Sequence, residues 1–180
     1  MKYPQAFIDY LVHFHGDRDF FECHEILEEY WKLQNMKDEI WVAFIQLAVG
    51  LYHQRRGNHA GAIKMLKSSL QKMEQKQVSQ LGLDFKKMTD LISHRVKEVS
   101  QHSVYTDLNL PIVDEQLLSQ CLEACSKKNF IWGSTTSMEC SDLIDRHKLR
   151  DRSDVIKLRE EKLQEKTNSR TEKPYTKLQE

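Results

Sequence analysis

The fold of this chain is decided by the stretch EIWVAFIQLAVGLYHQRR, residues 39–56. If this stretch is helical, its apolar side chains cover almost the whole circumference of the helix, whereas a surface helix carries them on one face. Its apolar run, interrupted at Gln46, is shorter than the roughly 18 residues that a membrane-spanning helix needs. We therefore predict that these residues form the central, buried helix of a bundle.

The polar residues of this helix are few and regularly placed. Glu39, Gln46 and His53 recur at seven-residue spacing, so they form one narrow stripe along the helix. Gly50 lies on the same stripe, where the missing side chain lets another backbone approach closely. A buried polar group without a partner costs about 1–3 kcal/mol. We therefore expect the stripe to face polar groups of a neighbouring helix.

Composition and apolar spacing indicate that the rest of the chain is helical as well. Glycine (6) and proline (3) are scarce among the 180 residues, which favours helices over sheets. Asp19, followed by Glu22, is typical of a helix N-cap and predicts a second helix that opens at Phe20. The other predicted helices cover residues 4–15, 39–56, 59–76, 84–101 and 114–127.

The predicted organisation is all-α. A compact multihelical bundle with a buried central helix (residues 1–103) precedes a C-terminal helical extension (104–166) and a disordered tail (167–180). Within the extension, residues 142–159 alternate charges of both signs around a thin aliphatic stripe, which is typical of a solvated helix lying on another surface. The loop 129–137 carries Phe130, Ile131 and Trp132, which we expect to dock on the core, with a partner surface as the alternative.

Charge and cysteine usage restrict the location and the partners. Lysine plus arginine equals aspartate plus glutamate, at 27 each, so no overall field draws the chain to nucleic acid or to an anionic membrane. The four cysteines, which form no CxxC pair, are expected to be reduced thiols. No export signal or membrane span is recognised in the sequence. We expect a cytoplasmic protein that does not associate with a membrane, and the charge balance disfavours nucleic-acid binding.

The most informative polar motif lies in the second helix, in FFECHEILEEYW, residues 20–31. His24 and Glu28 are four residues apart, so both side chains point to the same side of the helix, at the edge of its apolar face. We expect His24, Glu28, Gln46 and His53 to form a polar cluster where the second helix contacts the central one.

Three chemical interpretations of this cluster stay open. His24, Glu28 and His53 could ligate a metal ion, with Glu25 acting as a base on a metal-bound water. A hydrogen-bonded structural cluster that fixes the register of the two helices is the simpler reading, and a small-molecule pocket is the third. Cys23 neighbours His24 in sequence, but adjacent helical residues diverge, which disfavours a thiolate pair.

Two blocks of the chain resemble a known family. Residues 20–31 (FFECHEILEEYW), residues 45–58 (IQLAVGLYHQRRGN) and the following Gly61-Ala62 are similar to the bacterial domain-of-unknown-function family 309, over roughly residues 15–100. The resemblance implies a multihelical fold with a buried central helix and no established activity. It marks as family positions His24, Glu25, Glu28, Trp31, Gln46 and Arg56. The block from Arg146 to Ile156 resembles an extension found in members from low-GC Gram-positive bacteria.

Two functional hypotheses follow. The first is an interaction or scaffold module that binds a protein partner through the bundle surface and the C-terminal extension, because no complete catalytic constellation is recognised. The second is a metal- or small-molecule-dependent, hydrolase-like enzyme centred on His24, Glu25, Glu28 and His53. The candidate site combines these four residues with Trp31 and Gln46. Cofactor, substrate and oligomeric state are not determined by the sequence.

Overall fold

The computed structural model describes residues 2–136, and each helix predicted within this range has a helical counterpart, although the one predicted over residues 59–76 is divided in two. Its described residues form seven helices and no strand, which confirms the all-α class. In chain order they are α1 (Gln5–His15), α2 (Phe20–Leu33), α3 (Glu39–Arg55), α4 (His59–Lys72), α5 (Gln75–Gln80), α6 (Phe85–Ser100) and α7 (Glu115–Lys127).

Helix α3 is buried between α2 and α4, as its apolar circumference predicts. Most of its apolar side chains are inaccessible to solvent, among them Phe44, Leu47 and Leu51. Gly50 allows the close approach to α4: a Cβ atom at this position would lie 2.8 Å from Cγ of Leu66. The buried central helix is therefore confirmed. Among the described helices, none has the length and apolar character that crossing a membrane demands.

Helix α1 is a second buried helix, which the sequence pattern did not single out. Its aromatic residues meet those of α3, with ring centroids 5.3 Å apart for Phe7 and Phe44 and 5.7 Å apart for Tyr10 and Phe44. The hydroxyl of Tyr10 donates a hydrogen bond to the backbone carbonyl of Phe44 at 3.0 Å, so the buried phenol keeps a partner. Helix α1 packs on α2 through one side and on α7 through another.

The helix predicted over residues 59–76 is shorter than expected. Helix α4 ends at Lys72, and a separate short helix, α5, follows after Met73 and Glu74. Both of these residues have extended backbone conformations. The extended conformation turns the side chain of Met73 into the core, where it is 7% exposed, and tertiary burial thus overrides the local preference for a continuous helix.

The segment after α6 adds to the same core. Its buried residues are Leu108, Leu110, Leu117, Cys121 and Cys125. Phe130 and Trp132 dock against the core, as predicted, while Ile131 between them is 76% exposed. The division of the chain at residue 103 stays a prediction, because its second part continues past the described residues. The charged stretch 142–159, Cys140 and the tail 167–180 lie outside the described residues.

Candidate functional site

Helix α2 begins at the predicted cap. Oδ1 of Asp19 accepts a hydrogen bond from the backbone N–H of Glu22 at 3.0 Å, which satisfies one donor of the first helical turn. This start sets the rotation of the helix, since the side chains that face the core are then Phe20, Cys23 and Leu27. The positions beside this buried stripe lie at the boundary between core and solvent.

Three side chains of α2 meet at this boundary: His24, Glu25 and Glu28. Nδ1 of His24 lies 3.0 Å from Oε1 of Glu25, and Nε2 of His24 lies 3.5 Å from Oε2 of Glu28. One donor atom from each residue lies within 4.8 Å of the other two. Their side chains are 27%, 28% and 35% exposed, so the donor group is half-buried and open to solvent on one side.

The charge of this donor group favours a cation. Two carboxylates flank one imidazole, and Nζ of Lys32 lies 3.1 Å from Oε1 of Glu28. With His24 neutral, the four side chains carry one net negative charge, in a half-buried position where Coulomb attraction is stronger than in bulk water. The arrangement therefore favours a cation close to the two carboxylates.

Aromatic contacts connect His24 of the donor group with α3. The ring of Phe21 lies 6.2 Å from the ring of His24 and 6.2 Å from the ring of Tyr52, measured between centroids. Cζ of Arg56 lies 5.6 Å from the centroid of Tyr52, within the range of a cation–π contact. Phe21 and Tyr52 therefore form an aromatic link between His24 and the end of α3, where Arg56 lies.

The other predicted site residues make different contacts. Nδ1 of His53 lies 3.3 Å from Nδ2 of Asn58, and His53 is not among the three converging donors. Burial lowers the pKa of His53, and the charge of Arg56 lowers it further. Within residues 2–136, Oε1 of Gln46 and Nε1 of Trp31 are buried without a hydrogen-bond partner. That the six residues act as one functional cluster stays a prediction.

Sequence reasoning missed a buried arginine beside α2. Arg18 is 1% exposed and has a positive φ of 60° in the connection between α1 and α2. Its guanidinium holds the segment after α6 against this connection, and Nη1 of Arg55 donates to the carbonyl of Arg18 at 2.8 Å. Apolar periodicity carries no signal for such a residue, because it lies outside any helix and is charged.

A buried histidine was missed as well. The ring of His15 stacks on Trp132, with centroids 4.3 Å apart and planes at 10°, and its Nε2 accepts a hydrogen bond from the backbone N–H of Leu110 at 3.4 Å. Burial lowers the pKa of His15 to about 3, with a further lowering by the charge of Arg18. His15 is therefore neutral and structural at physiological pH.

Fold and site together define an all-α bundle protein whose second helix carries a half-buried histidine–carboxylate group beside a buried central helix. The chain belongs to the family Domain of unknown function (DUF309), whose model matches residues 7–65. This part contains most of α1, all of α2 and α3, and the start of α4. The match confirms the resemblance read from the motif.

A second comparison extends over most of the chain. The chain is similar to the Uncharacterized protein YpuF of Bacillus subtilis (strain 168), at 46% identity over 172 residues. The similarity covers 93% of this chain and 99% of that protein. No solved structure matches the chain.

Proposed function

We propose that the protein binds a divalent transition-metal ion through His24, Glu25 and Glu28. The observation that supports the proposal is the convergence of one donor atom from each residue within 4.8 Å of the others. Around an ion with bonds of about 2.0–2.2 Å, neighbouring ligand atoms are about 3–3.5 Å apart. Glu25 and Glu28 contact different nitrogens of the imidazole, so one carboxylate moves toward the other nitrogen when a single ion binds. Glu25, which the sequence suggested as a base, is here a ligand.

The donor set indicates the class of ion and the chemistry. One imidazole nitrogen and two carboxylate oxygens suit Zn²⁺, Fe²⁺ or Mn²⁺. Three protein ligands leave coordination positions for water or substrate, as catalytic metal sites do and closed structural sites do not. An ion held in this way lowers the pKa of its bound water, and the proposed activity is therefore hydrolase-like.

The competing explanation is a purely structural ion cluster. A protonated His24 would pair with both carboxylates, and Lys32 already pairs with Glu28. Partly exposed ion pairs contribute about 0–1 kcal/mol. This explanation predicts a small stability loss on removal of His24 and no bound metal, so metal content separates the two.

Elemental analysis of protein purified without chelator and then loaded with Mn²⁺, followed by titration calorimetry with Mn²⁺, tests the proposal. We expect one Mn²⁺ ion for each chain and its loss in His24→Ala. The matched control is His94→Ala: Nε2 of His94 lies 3.4 Å from Oε1 of Glu98, the same i,i+4 pairing on α6. The control should keep the ion. A metal-free wild type, or equal metal content in the two variants, would refute the proposal.

We further propose that the C-terminal extension contributes a protein-binding surface. Apolar side chains are exposed along its described part: Val104 (85%), Val113 (59%), Leu122 (43%) and Ile131 (76%). Burial of such side chains against a partner stabilises a complex by roughly 25 cal/mol for each Å².

A cytoplasmic location belongs to the same proposal and is supported by the free thiols of the buried cysteines Cys23, Cys121 and Cys125.

Comparison of full-length baits tests this second proposal. The double variant Leu122→Ser/Ile131→Ser should lose partners that the wild type retains in a quantitative pull-down, because two apolar contacts are removed. Leu91→Ser, which changes a 38% exposed leucine on α6, is the control outside the extension. Identical partner sets for the double variant and the wild type would count against the surface.

A further inference from the structure

Two histidines face each other where α4 begins and α6 ends. The ring centroids of His59 and His102 are 4.4 Å apart, with the ring planes at 68°. Nδ1 of each imidazole points to Nδ1 of the other within hydrogen-bonding reach. The two residues are 43 positions apart in the sequence, so their meeting is a product of the tertiary structure.

Local structure on both sides fixes the pair. Asn58 caps α4, since its Oδ1 accepts a hydrogen bond from the backbone N–H of Gly61 at 3.0 Å, and this cap sets the orientation of His59 as the first helical residue. On the other side, α6 ends at Ser100, and His102 has a positive φ of 55°. The left-handed conformation is disfavoured for a residue with a Cβ atom, and here it belongs to the residue whose imidazole meets α4.

We propose that His59 and His102 form a metal site for ions that prefer nitrogen ligands, namely Cu²⁺, Ni²⁺ or Zn²⁺. Neutral imidazole is a strong ligand for all three. Two Nδ1 atoms from separate helical termini are aimed at the same region, so one ion between them replaces the proton that they otherwise share. His59 is half-buried and His102 is exposed, so water can complete the coordination sphere.

The pair differs chemically from the donor group on α2. Among residues 2–136, neither imidazole has a carboxylate ion-pair partner, whereas His24 lies between two carboxylates. Mn²⁺ prefers oxygen ligands, and Cu²⁺ and Ni²⁺ prefer nitrogen. The pair therefore binds Cu²⁺ and Ni²⁺ and leaves Mn²⁺ in solution, and this selectivity is independent of whether α2 binds metal.

Ni²⁺ titration of the full-length His24→Ala protein isolates the pair from α2. We expect one Ni²⁺ site, weakened at least tenfold by His59→Asn and by His102→Asn. His94→Asn, which removes an exposed histidine on α6, should leave the affinity unchanged. Unchanged affinity in the double variant His59→Asn/His102→Asn would overturn the proposal, whatever the result for α2.

Electron paramagnetic resonance of the Cu²⁺-loaded His24→Ala protein gives a second test that leaves the pair intact. Two coordinated imidazoles produce nitrogen hyperfine structure from two equivalent nuclei. A spectrum that shows one nitrogen ligand or none would also overturn the proposal.

Discussion

Replacement of Arg18 by methionine removes a guanidinium that joins separate parts of the chain. Methionine is apolar and similar in length, so it fills much of the same space but donates no hydrogen bond. In the native protein Arg18 donates to four acceptors: the carbonyls of Ser134 (2.8 Å), Phe14 (2.9 Å) and Leu108 (3.0 Å), and Oδ1 of Asn109 (2.7 Å). The variant tests whether these bonds hold the segment after α6 in place.

The expected loss of stability in Arg18→Met depends on which of the four acceptors stay buried without a donor. Asn109 is exposed and Ser134 half-buried, so their oxygens can bond to water, whereas Phe14 and Leu108 are 0% and 4% exposed. Each buried acceptor without a donor costs about 1–3 kcal/mol. Part of this cost is offset because the variant no longer buries a charge, a burial that lowers the pKa of Arg18. The net loss should be about 3 kcal/mol, similar to breaking a buried ion pair.

Urea unfolding of the wild type and of Arg18→Met, followed by circular dichroism and tryptophan fluorescence, measures this loss. In thermal unfolding it corresponds to a decrease in Tm of about 6–12 °C for a chain of this size. Lys67→Met, at an exposed position on α4, is the control and should stay within about 0.5 kcal/mol of the wild type. If Arg18→Met unfolds within about 1 kcal/mol of the wild type, the reasoning from orphaned acceptors is wrong.

Three further predictions concern other buried positions. Because burial lowers the pKa of His15 from 6.5 to about 3, only the unfolded state binds this proton between those values, and the contribution of His15 to stability is lost as pH falls. Between pH 7 and pH 5 the free energy of unfolding of the wild type should fall by about 2 kcal/mol through this group. The free energy of unfolding of His15→Gln, measured by urea titration at both pH values, should fall by less. Equal decreases for the two proteins would contradict the lowered pKa of His15. Gln46→Leu should leave the free energy of unfolding unchanged or raise it by up to about 1 kcal/mol, because Oε1 of Gln46 has no hydrogen-bond partner. Gln54→Leu should lower the free energy of unfolding by about 1–2 kcal/mol, because Nη1 of Arg95 loses an acceptor at 3.2 Å. If equilibrium unfolding shows that Gln46→Leu is less stable than Gln54→Leu, the argument from hydrogen-bond partners is wrong. Gly50→Ala should lower the free energy of unfolding by about 1–2 kcal/mol, because the new Cβ atom collides with the side chain of Leu66 on α4. A Tm at or above that of the wild type would show that Leu66 moves aside without cost.

Local properties of the sequence were enough to predict most of the helix bounds. The bounds of α1, α3, α6 and α7 agree with prediction within about two residues, because apolar spacing and capping aspartates act within one or two turns. Asp114 illustrates this, since its Oδ1 accepts from the backbone N–H of Leu117 at 2.9 Å. The break between α4 and α5 was missed, because the burial of Met73 that produces it depends on residues far along the chain.

The same distinction applies to the candidate site. The i,i+4 relation of His24 and Glu28 is a property of any helix, and the sequence predicted it correctly. The approach of Glu25 to His24 and the separate hydrogen bond of His53 depend on rotamers and on the packing of α2 against α3. Helical periodicity states which residues share a face, but it does not state which side chains on that face touch.

Side-chain periodicity within single helices is enough to predict the all-α class, the buried central helix and the place of the histidine–carboxylate motif. The packed fold is needed to place Arg18 in the interior, to stack His15 on Trp132 and to pair His59 with His102. These contacts join residues that are distant in the chain, and they form because the whole core determines where each connection and helix end must lie.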